Sequence, residues 1–421
     1  MNFKRTIFTL NAVKKIKLNI VKKIGAALTG AMLIFALGCG GHSSPPATTN
    51  VVPPAPVSNV QAITVNAGPA GNYANGAFTS VIVCSPGTAT CQTVDGILVD
   101  TGSSGLRILS SALTGITLSQ QTAADSNPVV ECLPFVSGYT WGPVKTADIQ
   151  MSGEKARSLP VQVISATDFP VPTACSNKGT AENTLSQLGA NGILGVGAAA
   201  QDCGNACVTT GAQNPSLYFE CPASGCVVTA EPLAKQVVNP VVLFATDNNG
   251  VIIKLPAAAT PQATLSGSLI FGIGTQSNNG LGSATVYPTN NSFDFTTTYK
   301  SQAYPTSFID SGSNGLFFLT AAIDGIPTCA DASFFYCPAS TENLSAVNQG
   351  AGGVGSGTVN FSVANADVLF QNSTATAFSQ LAGPNSFSGF DWGLPFFYGR
   401  NVYTAIEGRA TPGGVGPYWA Y

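Results

Sequence analysis

The sequence predicts an all-β protein built as two similar lobes, and three observations carry that expectation. The 421 residues include 46 Gly and 27 Pro but only 17 basic and 20 acidic side chains, a balance that favours strands and turns over charged helix faces. Runs rich in Val, Ile, Thr and Ser between these turn-formers read as strands. Finally, a segment recurs: residues 97–116 (ILVDTGSSGLRILSSALTGI) and 307–326 (SFIDSGSNGLFFLTAAIDGI) match at nine of twenty positions, at a constant offset of 210. A duplication at that spacing predicts two lobes related by a pseudo-twofold. Helical pattern is scarce, with candidates only at residues 184–188 and 232–238.

The first element is an export signal. Residues 1–39 hold seven basic residues (Lys4, Arg5, Lys14, Lys15, Lys17, Lys22, Lys23) and no acid. An apolar run from Ile24 to Gly38 follows, too short for a comfortable membrane span, and ends at Cys39. Ala36-Leu37-Gly38-Cys39 resembles a bacterial lipobox, whose cysteine is lipid-modified at the mature N-terminus, with Ala36 where Leu, Val or Ile is usual. Residues 40–57, with Pro45, Pro46, Pro53, Pro54 and Pro56, read as an extended tether. The expected product is anchored in the cell envelope, in the outer membrane and facing the periplasm or cell surface. Cleavage before Cys39 removes seven positive charges and no negative one, leaving an acidic body. With no basic cluster remaining, nucleic acid is not an expected partner.

With Cys39 set aside, ten of the 11 cysteines remain, enough for five disulfides in an oxidising compartment. Cys84/Cys91 and Cys329/Cys337 suit loop staples, and Cys132/Cys175 suits a longer bridge. Cys203, Cys207, Cys221 and Cys226 allow three pairings among themselves, which sequence leaves open. A zinc site on those four thiolates is the competing chemistry; the export signal argues for disulfides, and no metal is expected.

The body divides into a first lobe, residues 58–255, and a second, residues 256–421. In each copy of the repeat an apolar run (Ile97-Leu98-Val99; Phe308-Ile309) leads into an acid, a small hydroxyl, a glycine and a serine. This reads as a buried strand ending in a sharp turn, with Asp100 or Asp310 at its tip among hydroxyls and N–H groups. A buried carboxylate is costly unless hydrogen-bonded. Two of them, brought together by the pseudo-twofold, would share a proton and form an acid–base pair able to activate water. The single histidine, His42, lies in the tether. Histidine-dependent nucleophiles and His-ligated metals therefore find no imidazole in the body.

These motifs resemble the pepsin-like aspartic peptidases, whose lobes each supply one Asp in a hydrophobic-hydrophobic-Asp-Thr/Ser-Gly-Ser/Thr turn. Asp100-Thr101-Gly102-Ser103 and Asp310-Ser311-Gly312-Ser313 match both turns. Asn191-Gly192-Ile193-Leu194-Gly195-Val196-Gly197 resembles the first closing segment. Asp391-Trp392-Gly393-Leu394-Pro395-Phe396-Phe397, followed by Val402 to Ile406, resembles the second more loosely. Ser268-Leu269-Ile270-Phe271-Gly272 resembles the strand that crosses between lobes. The likeness spans residues 58–421 in order and points to a bacterial lipoprotein branch of that family.

The resemblance implies a two-lobed pepsin-like fold in which Asp100 and Asp310 are the catalytic pair at the floor of a cleft. Thr101 and Ser311 would bond across the lobe interface, Ser103 and Ser313 the outer carboxylate oxygens, and Gly102 and Gly312 would offer N–H donors. It implies hydrolysis of an extended polypeptide by a monomer that needs no cofactor; a catalytically silent lipoprotein binding a peptide or protein partner is the alternative. The family's flap hairpin corresponds to Phe135-Val136-Ser137-Gly138-Tyr139-Thr140-Trp141-Gly142. Phe135 stands at the usual tyrosine and Arg107 at its tryptophan partner, which suggests Arg107 stacked on Phe135 beside Ser137 and Gly138. Tyr139 or Trp141 is the substitute if the register slips. No Lys or Arg lies between Cys39 and Asp100, so the lysine-bearing propeptide of classical zymogens is not expected. Asp247-Asn248-Asn249-Gly250 reads as a plain turn. Trp392 and Phe396-Phe397-Tyr398 read as core of the second lobe. Residues 352–357 (GGVGSG) lack the Lys-Ser/Thr of a phosphate loop.

Overall fold

The computed structural model describes residues 59–421 except 166 and 386; the export signal, the tether, Cys39 and His42 lie outside the described residues. The fold is all-β, in two lobes, and the repeat explains its symmetry. In the first lobe Cys91–Asp100 runs into the Asp turn and Ser104–Leu109 runs out of it. The strand Gly192–Val196 inserts between them, parallel to the first (Ile97 opposite Gly192, Asp100 opposite Gly195) and antiparallel to the second (Ser104 opposite Val196). The second lobe repeats this with Gln302–Ile309, Leu316–Phe318 and the inserted strand Phe390–Trp392. Phe308 lies opposite Asp391 and Ile309 opposite Trp392, while Leu316 pairs antiparallel with Trp392. Where these strands meet, at residues 97–100, 104–109, 192–196, 307–309, 316–318 and 390–392, every residue is buried, which is why these stretches are rich in apolar side chains.

The lobes share a sheet at their base. Leu265–Phe271 pairs with Val60–Asn66 on one side and Gly250–Lys254 on the other. Gly250–Lys254 in turn pairs with Asn401–Ala405, and that strand with Tyr418–Ala420. The main core runs from Val81, Ile97 and Val99 through Phe271 to Phe318, Trp392 and Phe397.

Among the described residues helix is confined to short turns, including Leu185–Leu188 and the 3-10 turn Leu233–Lys235, inside the two stretches singled out by pattern. Among the described residues ten cysteines pair as Cys84–Cys91, Cys132–Cys175, Cys203–Cys207, Cys221–Cys226 and Cys329–Cys337. Five disulfides mark an exported, non-cytoplasmic protein. The turn at residues 247–250 departs from its plain reading. Asp247 is fully buried, where Thr275 and Gln276 donate to its carboxylate, and the Asn249 side chain donates to Ile273 and Ala410 carbonyls.

Candidate active site

Both Asp turns end their strands at the lobe interface, and the two carboxyls are fully buried against each other. Each has the same cradle. The Gly102 N–H donates to Asp100 Oδ1 at 2.8 Å, and the Gly312 N–H to Asp310 Oδ1 at 2.8 Å. The Ser103 hydroxyl donates to Asp100 Oδ2, and the Ser313 hydroxyl to Asp310 Oδ2 at 2.9 Å. The turns also lock to each other. The Thr101 N–H donates to Ser311 Oγ (3.1 Å), the Ser311 N–H to Thr101 Oγ1 (2.9 Å), and the Ser311 hydroxyl to the Val99 carbonyl (2.9 Å).

Glycine is required in both turns by close approach. A Cβ on Gly102 would sit 2.6 Å from Asp310 Cγ, and one on Gly312 would sit 2.6 Å from Asp100 Oδ1. Each turn thus leaves room for the other lobe's carboxyl. Burial, then the neighbouring Asp310 charge, push Asp100 well above the ordinary carboxyl range; burial raises Asp310 as well, against the hydrogen bonds that favour its ionised form. Two acids so placed hold one proton between them and titrate as a pair.

The flap residues sit differently from expectation. The hairpin joining Val129–Pro134 to Tyr139–Met151 is present, closed by Phe135 N–H to the Gly138 carbonyl at 2.6 Å. Phe135 is buried, in one apolar cluster with Phe78, Leu98 and Leu109. Gly138 packs on the Thr180 carbonyl, which a Cβ would meet at 2.0 Å, and Val136 is the exposed residue of the tip. Tyr139 and Trp141 are buried too, Trp141 edge-on to Phe219.

Arg107 neither stacks on Phe135 nor reaches the cleft. It is fully buried behind the first Asp turn, donating to Glu131 Oε1 (2.6 Å), Asp202 Oδ2 (2.9 Å) and the Ser104 carbonyl (2.8 Å). The Tyr218 hydroxyl donates to the second oxygen of Asp202 at 2.7 Å. A guanidinium among buried carboxylates gains more from their charge than a ring face offers, which is the physical reason for the correction. Burial and then the Glu131 charge push Asp202 well above its ordinary value, against the opposing pull of the Arg107 charge and the Tyr218 hydroxyl.

Two residues at the site had not been singled out, and a third had been named only as part of a closing segment. Asn75, at φ +52°, crosses from the first lobe to the second. Its side chain donates to the carbonyls of Asn314 (2.8 Å) and Phe378 (2.9 Å) and accepts from the Phe378 N–H and the Tyr398 hydroxyl (both 2.7 Å). The Asn75-Gly76 pair is a turn signal, but nothing local reveals a partner 239 residues away. Tyr73, two residues earlier, is buried edge-on to Phe78. Burial, then the charges of Glu182, Asp100 and Asp310, push its phenol well up, which sets the ring among the site's acids. The third is Asp391, whose Oδ2 lies 2.6 Å from Ser313 Oγ.

Residues 55–421 match the model of a family described as "Protein of unknown function (DUF3443)". The chain belongs to that family. No curated protein matches this DUF3443 chain. Among solved structures it is similar to an aspartic proteinase from Irpex lacteus, at 15% identity and a TM-score of 0.47, over 86% of this chain and 96% of that one.

Proposed function

We propose that this protein is an exported, lipid-anchored aspartic endopeptidase of a bacterial envelope. The observation that carries the reading is the mirrored cradle around Asp100 and Asp310, with equal N–H distances of 2.8 Å and serine donors on both outer oxygens. A water held between the carboxyls gives its proton to the ionised acid as its oxygen attacks the peptide carbonyl. The protonated acid hydrogen-bonds the developing oxyanion. Collapse of the tetrahedral adduct passes the captured proton to the leaving amine and restores the single shared proton. An extended polypeptide suits the cleft because a strand offers main-chain groups to the surrounding sheet edges. A membrane attachment through lipid on Cys39 and a monomeric body complete the reading; no cofactor is invoked.

The test pairs residues 58–421 with Asp100→Asn and Asp310→Asn twins on an unbiased peptide library from pH 3 to pH 7. Cuts by the parent, absent in both twins and blocked by a pepstatin-type mimic, are expected, with a rate loss of about a thousandfold or more. One observation favours a second reading, a silent pepsin-fold binder: Asn75 ties the lobes together across the site. Silence from all three folded proteins, with partner capture unaffected by either substitution, overturns the peptidase. Anchoring is tested separately: radiolabelled palmitate should enter the full chain and be lost in Cys39→Ala.

A further inference from the structure

The Ser313 hydroxyl lies 2.9 Å from Asp310 Oδ2 and 2.6 Å from Asp391 Oδ2. A hydroxyl has one hydrogen to donate, so it serves one of these oxygens, and the other contact needs a hydrogen from a carboxyl. Either Asp310 or Asp391 is therefore protonated. The register sharpens the point. Leu98 faces Ile193 in the first lobe, and its repeat equivalent Phe308 faces Asp391 in the second. The lobes thus differ beside the pair by one carboxyl where symmetry would put an aliphatic side chain. Asp391 is 3% exposed. Its neighbouring strand Leu316–Phe318 carries no titratable group, and Gln302–Ile309 carries only Tyr304, which packs on Phe390. Ser313 links Asp391 to Asp310 and, beyond it, to Asp100. Two ionised acids around one hydroxyl in that low-dielectric setting would repel strongly.

We propose that Asp391 is a protonated carboxyl that, through Ser313, holds Asp310 as the ionised member of the pair and leaves the shared proton on Asp100. Each hydrogen is then accounted for. Asp391 donates to Ser313 Oγ, Ser313 donates to Asp310 Oδ2, the Gly312 N–H donates to Asp310 Oδ1, and Asp100 supplies the proton between the carboxyls. Such a chain polarises each hydrogen bond in the same sense. The balance of effects on the pair agrees: Asp100 is raised by both burial and its partner's charge, while bonds from Asp100, Gly312, Ser313 and Gly102 oppose the rise of Asp310. Asp391 is a positioning residue. Its catalytic consequence, Asp310 as base and Asp100 as acid, rests on the peptidase reading; its protonation does not.

Two variants separate the chemistry from packing. Asp391→Asn keeps a donor to Ser313, whereas Asp391→Ile installs the residue type of the first lobe and removes it. The acidic limb of kcat/KM should move up by about half to one pH unit in Asp391→Ile, because Asp310 becomes harder to ionise, and return in Asp391→Asn. In parallel, the assigned Cγ resonances of Asp100, Asp310 and Asp391 in 13C-aspartate protein should show two protonated carboxyls among the three at pH 6 in the parent and one in either variant. A superimposable pH profile for Asp391→Ile, or an Asp391 resonance already ionised at pH 5, overturns the proposal. If the parent cuts nothing, the peptidase reading fails by itself, and the resonance count still decides the state of Asp391.

Discussion

At the scale of single residues, what sets this site apart is how many acids it buries with how little positive charge. Among the described residues of the first lobe the one fully buried cation, Arg107, bonds Glu131 and Asp202 rather than the Asp pair. Removing it should strand two carboxylates in the core. Arg107→Met is expected to destabilise the protein by about 3–5 kcal/mol, read as a lowered midpoint in urea at pH 7, because an uncompensated buried charge costs far more than a lost surface pair. Asp100 and Asp310 were legible in the sequence because the repeat marks them twice with the same small neighbours. Asp391 was visible only as the head of the looser closing segment; strand register, which sets it where the first lobe has Ile193, reveals what it touches. Arg107 misled for a related reason. Its partners lie 24 and 95 residues away, so the nearest plausible neighbour in the motif, Phe135, stood in for them.

Among the elements, the loop between Val60–Asn66 and Gly76–Cys84 does the most unexpected work. Tyr73 belongs to the apolar cluster of the first lobe, Ala74 to that of the second, and Asn75 bonds Asn314 directly after the second Asp turn. Asn75→Ala leaves the Phe378 N–H, two carbonyls and the Tyr398 hydroxyl without this partner inside the protein. A loss of about 2–3 kcal/mol is expected, together with faster amide exchange at Phe378 and through residues 73–75. Exchange rising only at Phe378 would mean that the loop is held by its apolar contacts alone. The strands themselves were readable from apolar runs and turn-formers, whereas this loop, rich in Gly, Pro and Asn, reads locally as a surface connection. Ala74 and Asn75 are buried against the opposite lobe, which no local pattern encodes.

Over the whole molecule, acids held above their ordinary range set how stability should follow pH. Burial, with Asp247 adding to it, pushes Glu154 up to about 7, and burial does the same for Glu231, with Lys235 pulling the other way. Between about pH 4.5 and pH 7 the folded protein therefore binds more protons than the unfolded chain. Stability from these groups is fully present below the unfolded value and fades as pH rises through 7. The melting temperature is expected to fall from pH 5 to pH 8, and Glu154→Gln with Glu231→Gln should flatten that slope. A Tm that climbs over this interval would show that other groups dominate. The duplication made the two-lobed plan legible, because 210 residues separate copies too similar to be accidental. The common basal sheet was less so: its strands come from the start, the middle and the end of the body, and only Ser268 to Gly272 advertised a crossing.

That sheet has a consequence for how the protein comes into being. Tyr418–Ala420 closes onto Asn401–Ala405, which rests on Gly250–Lys254, and Leu265–Phe271 carries Val60–Asn66 from the opposite end of the chain. A chain emerging N-terminus first from a secretion pore cannot complete this platform until its last few residues are through. The inserted strand Phe390–Trp392, which frames the second acid, also arrives late. Asp100 would spend most of translocation without its partner, so the order of emergence itself delays assembly of the buried Asp pair until the whole body is through.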